Sequence, residues 1–328
     1  MTLSSLLAAA HVRPIAPALA WGMAGVLALL LLGTLAGLAL PVLRPKDDHT
    51  NLRQRTASWW VMAVLVGAAL VLGWGAVMIL FAVVSFIALR ELLSLAPLRR
   101  EDRLVVLLAY LVIPANYALL ASNLYGIYLV FIPVWAFLVA PFVLAMIGQT
   151  RAYLSTAATF HWGLMTCVYN IGFAAYLAMA PLTKAPQAGG AGLVFFLLLA
   201  TEANDVAQYV WGRLVGRRKI MPKVSPNKTW EGFVGGWITT FALMWFLGPF
   251  FLPVRGYQLA VLAAALPVAG FAGDVTMSAI KRDIGVKDTS RLIPGHGGVL
   301  DRIDSLTFTA PVYFHLITFF AFGRLPWP

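Results

Sequence analysis

The sequence predicts an all-α polytopic integral membrane protein of about ten transmembrane helices, and three observations carry that prediction. The 328-residue chain is 61% hydrophobic and only 11% charged, whereas a soluble domain carries about a quarter charged residues. Its apolar segments repeat at the length that crosses a bilayer, roughly 17–25 residues. Its basic residues gather in alternate loops between those segments.

Taken in order, the first apolar segment is 20–43. Only His11 and Arg13 precede it as basic groups, and it is long enough to span, so it reads as a retained helix and not a cleaved signal. The run 57–95 is too long for one helix. The short break "LGWGA" at 72–76 divides it into a tight hairpin of 57–73 and 75–95. Further spans follow at 103–121, 126–148, 159–181, 191–211, 233–252, 257–280 and 304–323. Helices are required because only helices or closed barrels satisfy their backbone in lipid, and no barrel-like alternation occurs.

Ten spans place loops 44–56, 96–102, 149–158, 212–232 and 281–303 on one side. With the flanking Arg103, they hold 19 of the 24 Lys and Arg. The positive-inside rule makes that side cytoplasmic and sets both termini opposite. Three regions follow: 1–56, an extra N-terminal helix with its basic loop; 57–190, the N-terminal and middle helices; and 191–328, the C-terminal transmembrane region.

The single Cys167 excludes a disulfide framework and a cysteine-only metal site. The net charge of +11 fits loops facing anionic headgroups, with no nucleic-acid partner expected.

Charges inside spans cost about 2.5–3.5 kcal/mol each, so those present need a reason. Glu91 adjoins Arg90 and reads as a snorkelling or paired structural charge. "TEANDVAQYVWG" at 201–212 sets Glu202, Asp205 and Gln208 three residues apart on one face, with Asn204 nearby. Such a stripe lines a cavity or binds an ion, or else serves structural hydrogen bonding. Asp274 shares a face with Ser278 and Lys281, and Gly270, Ala272 and Gly273 allow a close approach. An acid leading to Ser, Lys and Arg282 reads as a metal ligand beside an anion site. The plainer alternative is a helix-end ion pair.

Two loops carry the remaining chemistry. In "SPNKTWEG", 225–232, Ser225, Lys228 and Thr229 supply donors for a phosphate, and Asn227 favours a turn. Thr229 or Asn227 can cap the next helix. The Walker spacing is absent. In 278–305 nine formal charges surround Pro294-Gly-His-Gly-Gly298. Lys281, Arg282, Lys287, Arg291 and Arg302 can neutralise phosphates, and Asp288, Asp301 and Asp304 offer hard oxygen ligands suited to Mg²⁺. Gly295, Gly297 and Gly298 let the backbone approach a ligand, and His296 can donate to a phosphate. The set fits phosphoryl or nucleotidyl transfer.

"S-x-x-K-R-x-x-x-x-K-D" at 278–288 followed by "P-G-H-G-G-x-x-D-R-x-D" at 294–304 resembles the signature of the phosphatidate cytidylyltransferases, the CDP-diacylglycerol synthases. "SPNKTWEGFVGG" at 225–236 and Asp274 in "GD" match two further stretches of that family. The likeness is strong from about residue 200 onward and is one of hydropathy alone before that. It implies the Mg²⁺-dependent reaction of CTP with phosphatidic acid to give CDP-diacylglycerol and pyrophosphate in a bacterial inner membrane. Asp274 and Asp301 would be metal ligands, joined by Asp205 and Asp304 if a second ion binds. The resemblance thus implies catalytic roles for Asp205, Asp274, Lys281, Arg282 and Asp301. Substrate binding would fall to Ser225, Asn227, Lys228, Thr229, Lys287, His296, Gly297, Gly298 and Arg302. A homodimer is compatible with it.

One stretch departs from the pattern. Where the family usually reads Asp-Thr-Gly-Ala-Tyr, this chain has Asp205-Val-Ala-Gln208-Tyr209. That leaves open a paralogue acting on a different lipid phosphate. A non-enzymatic anion or lipid transporter is the rival of another class, but its charges would lie at mid-membrane, whereas these gather at one face.

Overall fold

The computed structural model describes residues 15–43, 49–148, 150–181 and 188–322. Arg13, Arg44, Lys46, Lys184 and Arg324, which bear on the expected orientation, lie outside them. Nine helices among the described residues are long and apolar enough to cross a membrane, so the chain is a multi-pass integral membrane protein. They are α1 (Pro17–Leu43), α2 (Thr50–Leu72), α3 (Trp74–Leu95), α4 (Arg103–Ala121), α5 (Tyr125–Met146), α7 (Gly189–Leu214), α8 (Trp230–Phe251), α9 (Gly256–Asp283) and α10 (Leu300–Phe322).

The remaining expected span, 159–181, is occupied by α6 (153–177), an α-helix interrupted by a π-helical turn at Met165–Tyr169. It falls outside the nine because His161, Asn170 and several threonines dilute its apolar character. The bundle tolerates them: Ile171 to Leu177 are all buried, so this stretch packs against protein and not lipid. The lipid-facing role falls to helices such as α1, where Leu29, Leu32, Leu35 and Leu38 are exposed.

The break expected at 72–76 narrows to one residue, Gly73, whose φ of 102° suits glycine. Arg55 near the start of α2 and Glu91 near the end of α3 both reach the loop 289–300. The two helices are therefore an antiparallel hairpin.

The loop 212–232 holds structure the sequence reading does not assign. β1 (Lys219–Met221) and β2 (Ser225–Thr229) pair antiparallel, with Lys219 opposite Thr229 and Met221 opposite Ser225. Asn227 consequently sits in a strand and not in the expected turn. Thr229 does cap α8, its Oγ1 accepting from the Gly232 amide at 3.1 Å. Glu231 secures the hairpin base by accepting from the backbone amides of Arg217 and Arg218.

Two close helix approaches set the site. α7 and α8 share the most extensive contact in the bundle, because Gly235 and Gly236 leave room for Trp211 and Gln208; any Cβ there would collide with those side chains. α9 meets α10 at Gly273, where a Cβ would stand 2.6 Å from the Asp304 carbonyl oxygen.

Candidate active site

The first part of the site is a cleft of about 460 Å³ between α7, the β-hairpin, α8 and α9. Asp205, Gln208, Tyr209 and Arg213 enter from α7, Lys219 from β1, Asn227 and Lys228 from β2, and Asp274 from α9. Lys228 Nζ lies 2.6 Å from Asp274 Oδ2 and 4.9 Å from the centre of the Phe271 ring, a cation–π contact. The other Asp274 oxygen accepts from Ser278 Oγ at 3.2 Å. Arg213 Nη1 donates to the Tyr209 hydroxyl at 2.9 Å. Two carboxylates and three cations thus line the cleft.

Asp205, Asp274 and Asp304 lie within electrostatic reach of one another, brought there by the close approach at Gly273. No group of three or more acids, histidines or cysteines among the described residues is gathered tightly enough to hold a metal by itself. Magnesium usually binds through one or two carboxylates plus substrate phosphates. Asp205 and Asp274, hard oxygens in a cleft with cations for phosphate, fit that requirement.

The second part is the loop 284–299. Gly285, Gly295 and Gly297 have φ of 81°, 73° and 86°, left-handed values that other residues resist. Asp301 lies beneath the loop, 5% exposed. Its Oδ2 accepts from the Thr289 amide at 2.8 Å, the Gly298 amide at 2.9 Å and Thr289 Oγ1 at 3.0 Å. Its Oδ1 meets Lys281 Nζ at 2.7 Å. Both oxygens are engaged, so Asp301 in this geometry anchors Lys281 and the turn. Asp274, Ser278 and Lys281 do share a face of α9, as their spacing requires, but Asp274 and Asp301 are salt-bridged to different lysines.

Other expected site residues are placed less centrally. Arg282 is exposed and donates to the Val286 carbonyl at 2.9 Å, closing its own helix end. Lys287 and Asp288 are exposed on the loop, and Ser225 lies at the strand end away from Thr229. Arg302 is half-buried, with its Nε lacking a partner. His296 packs edge-on against Trp59, ring centres 6.0 Å apart. Burial, then the charges of Arg302 and Arg55, push its pKa down to about 4, so the imidazole is neutral near pH 7.

Several contributors carry no mark in the sequence, Arg213 in the cleft among them. Lys219 enters the cleft wall, although its run of bases resembles an ordinary membrane anchor. Arg55 and Ser58 hold the Gly-rich turn, donating to the carbonyls of Gly295 at 3.1 Å and Pro294 at 2.8 Å. Glu91, far from pairing with Arg90, accepts four hydrogen bonds from the loop. No local signal marks those partners, which lie some 200 residues away.

A cleft lined by acids and bases between membrane helices suits a phosphorylated ligand together with a cation. The cytidylyltransferase family model matches residues 53–320, and the chain belongs to that family. It is 41% identical over 297 residues to the uncharacterized protein YnbB of Escherichia coli, covering 90% of this chain and 97% of that one. It is 31% identical over 264 residues to a phosphatidate cytidylyltransferase of Staphylococcus haemolyticus, covering 77% and 94%. To the Mycobacterium leprae phosphatidate cytidylyltransferase it is 37% identical over 146 residues, 44% of this chain and 46% of that one.

Proposed function

We propose that the protein transfers a cytidylyl group from CTP to phosphatidic acid, giving CDP-diacylglycerol and pyrophosphate, with its catalytic loops facing the cytoplasm. The observation that carries this reading is the cleft wall, where Asp205 and Asp274 stand among Arg213, Lys219 and Lys228. Such a wall suits a polyphosphate and a metal together.

In this reaction a lipid phosphate oxygen attacks the α-phosphorus of the nucleotide. The new P–O bond forms as the bond to the β-phosphate breaks, and pyrophosphate leaves in line. The lipid phosphate is already anionic at neutral pH, so no strong general base is needed. Asp205 and Asp274 would hold Mg²⁺, which supplies Lewis-acid stabilisation of the phosphate charge. Lys228 and Lys219 bind phosphate oxygens, and Lys281, held by Asp301, brings positive charge toward the leaving pyrophosphate. The turn at Gly297 and Gly298 and the half-buried Arg302 would extend the phosphate-binding surface.

A second acceptor is favoured by one observation. Gln208 lines the cleft with its amide nitrogen buried and unpartnered, a donor that an additional acceptor oxygen on the lipid would satisfy. The test is incubation of purified protein with Mg²⁺, each of the four nucleoside triphosphates, and phosphatidic acid or other lipid phosphate monoesters. CTP-dependent pyrophosphate and CDP-lipid are expected. Absence of product with CTP and every acceptor sinks the reaction; product only with another acceptor establishes the second reading.

A further inference from the structure

We propose that Glu91 is a positioning residue for the transfer site, acting through Thr289 on Asp301 and through Asp301 on Lys281; this rests on the nucleotidyl-transfer reading above. Glu91 is 6% exposed and its carboxylate is fully engaged. Oε1 accepts from Ser290 Oγ at 2.7 Å and the Val299 amide at 3.0 Å. Oε2 accepts from the Leu300 amide at 2.8 Å and Thr289 Oγ1 at 3.0 Å.

Two features make this more than a buried contact. Val299 is the N-cap and Leu300 the first residue of α10, whose first amides have no partner within their own helix. No local side chain caps that end. Glu91 supplies the cap from α3, and its negative charge complements the positive end of the helix dipole. Asp301 lies in the first turn so held.

The second feature is the shared hydroxyl. Thr289 Oγ1 lies 3.0 Å from Glu91 Oε2 and 3.0 Å from Asp301 Oδ2. A hydroxyl carries one hydrogen, so a single proton is divided between two carboxylates and fixes their separation. Asp301 Oδ1 in turn fixes Lys281. A Cβ on Gly298 would collide with both Thr289 Oγ1 and Glu91 Oε2, which accounts for the second glycine of the pair. The line Glu91–Thr289–Asp301–Lys281 therefore runs from a helix outside the signature motifs to a cation inside them.

The test uses full-length protein carrying Glu91→Gln, Thr289→Val or Thr289→Ser. Backbone hydrogen exchange at residues 298–300 is read alongside CTP-dependent transfer, normalised to folded enzyme. Glu91→Gln is expected to speed exchange at Val299 and Leu300 and to lower kcat about 100-fold with a much smaller change in KM for the nucleotide. Thr289→Val should lower kcat in the same way, and Thr289→Ser, which keeps the hydroxyl, should restore it.

A purely structural Glu91 would lower stability yet leave kcat per folded molecule unchanged, and that result overturns the proposal. Wild-type exchange and kcat in Glu91→Gln overturn it equally. Should Glu91→Gln fail to fold, equal kcat in Thr289→Val and Thr289→Ser overturns it. If wild-type protein transfers no nucleotide at all, the proposed reaction fails, and exchange at 298–300 alone decides for or against the clasp.

Discussion

Lys228 on the β-hairpin and Asp274 on α9 form an ion pair of 2.6 Å across the mouth of the cleft. One residue belongs to the hairpin and the other to α9, so the pair ties two sides of the cleft together.

Substitution of Asp274 tests that arrangement. Asp274→Asn should lower turnover by about 10²–10³-fold, with chelation of Mg²⁺ abolishing the wild-type activity and added Mg²⁺ restoring it. Isotopic transfer from labelled CTP measures both. Undiminished turnover in Asp274→Asn would remove this residue from the centre.

The Lys281–Asp301 pair is more deeply buried, with side chains 12% and 4% exposed. Removing one partner of a buried pair leaves an uncompensated charge, so Lys281→Met should cost about 3 kcal/mol of stability as well as activity. Denaturant titration in detergent reads the first quantity. Asp301→Asn should behave likewise, since its carboxylate satisfies three further donors; an Asp301 that served only as a metal ligand would leave stability near normal.

Gly236→Ala places a methyl group against Gln208 where α7 and α8 touch. Overpacking at such a contact costs about 1–3 kcal/mol. A drop in Tm with displacement of Asp205 is expected, seen as a raised KM for the nucleotide. An unchanged Tm would show that the helices can separate there at no cost.

His296 gives a pH dependence of known sign. Its pKa falls from 6.5 to about 4 on folding, so between those values the unfolded chain binds the proton more readily. Stability from the neutral imidazole is present above pH 6.5 and is lost as pH falls toward 4. The half-buried ring is partly screened, which moderates the effect. His296→Phe keeps an aromatic ring against Trp59 and should flatten the Tm profile over that window; an unchanged slope would assign the acid sensitivity elsewhere.

The sequence carries the helices because each must bury its own backbone bonds in lipid, and length and apolarity then suffice to find it. Its span at 159–181 meets α6, where Asn170 and His161 are tolerated by protein neighbours that hydropathy does not reveal. The common face of Asp274, Ser278 and Lys281 was legible because one helix fixes it. Thr229 was legible as a cap for the same local reason. Glu91 was not: its partners Ser290, Val299 and Leu300 are set by tertiary packing, and Arg90 beside it offered a nearer explanation. The β-hairpin escaped because Pro226 and Asn227 disfavour strands locally, and the pairing of Lys219 with Thr229 overrides them.

The bonds from Arg55 and Ser58 to the Gly-rich turn span 240 and 236 residues of chain. During synthesis, α2 and α3 enter the membrane long before the turn they hold has been made. The transfer site therefore cannot close on a partly made chain. A ribosome-bound intermediate lacking the last eighth of the sequence already has Asp205, Lys228 and Asp274 but none of the braces between the early hairpin and the late loop. Those braces form only once the late loop has been made and meets the early hairpin.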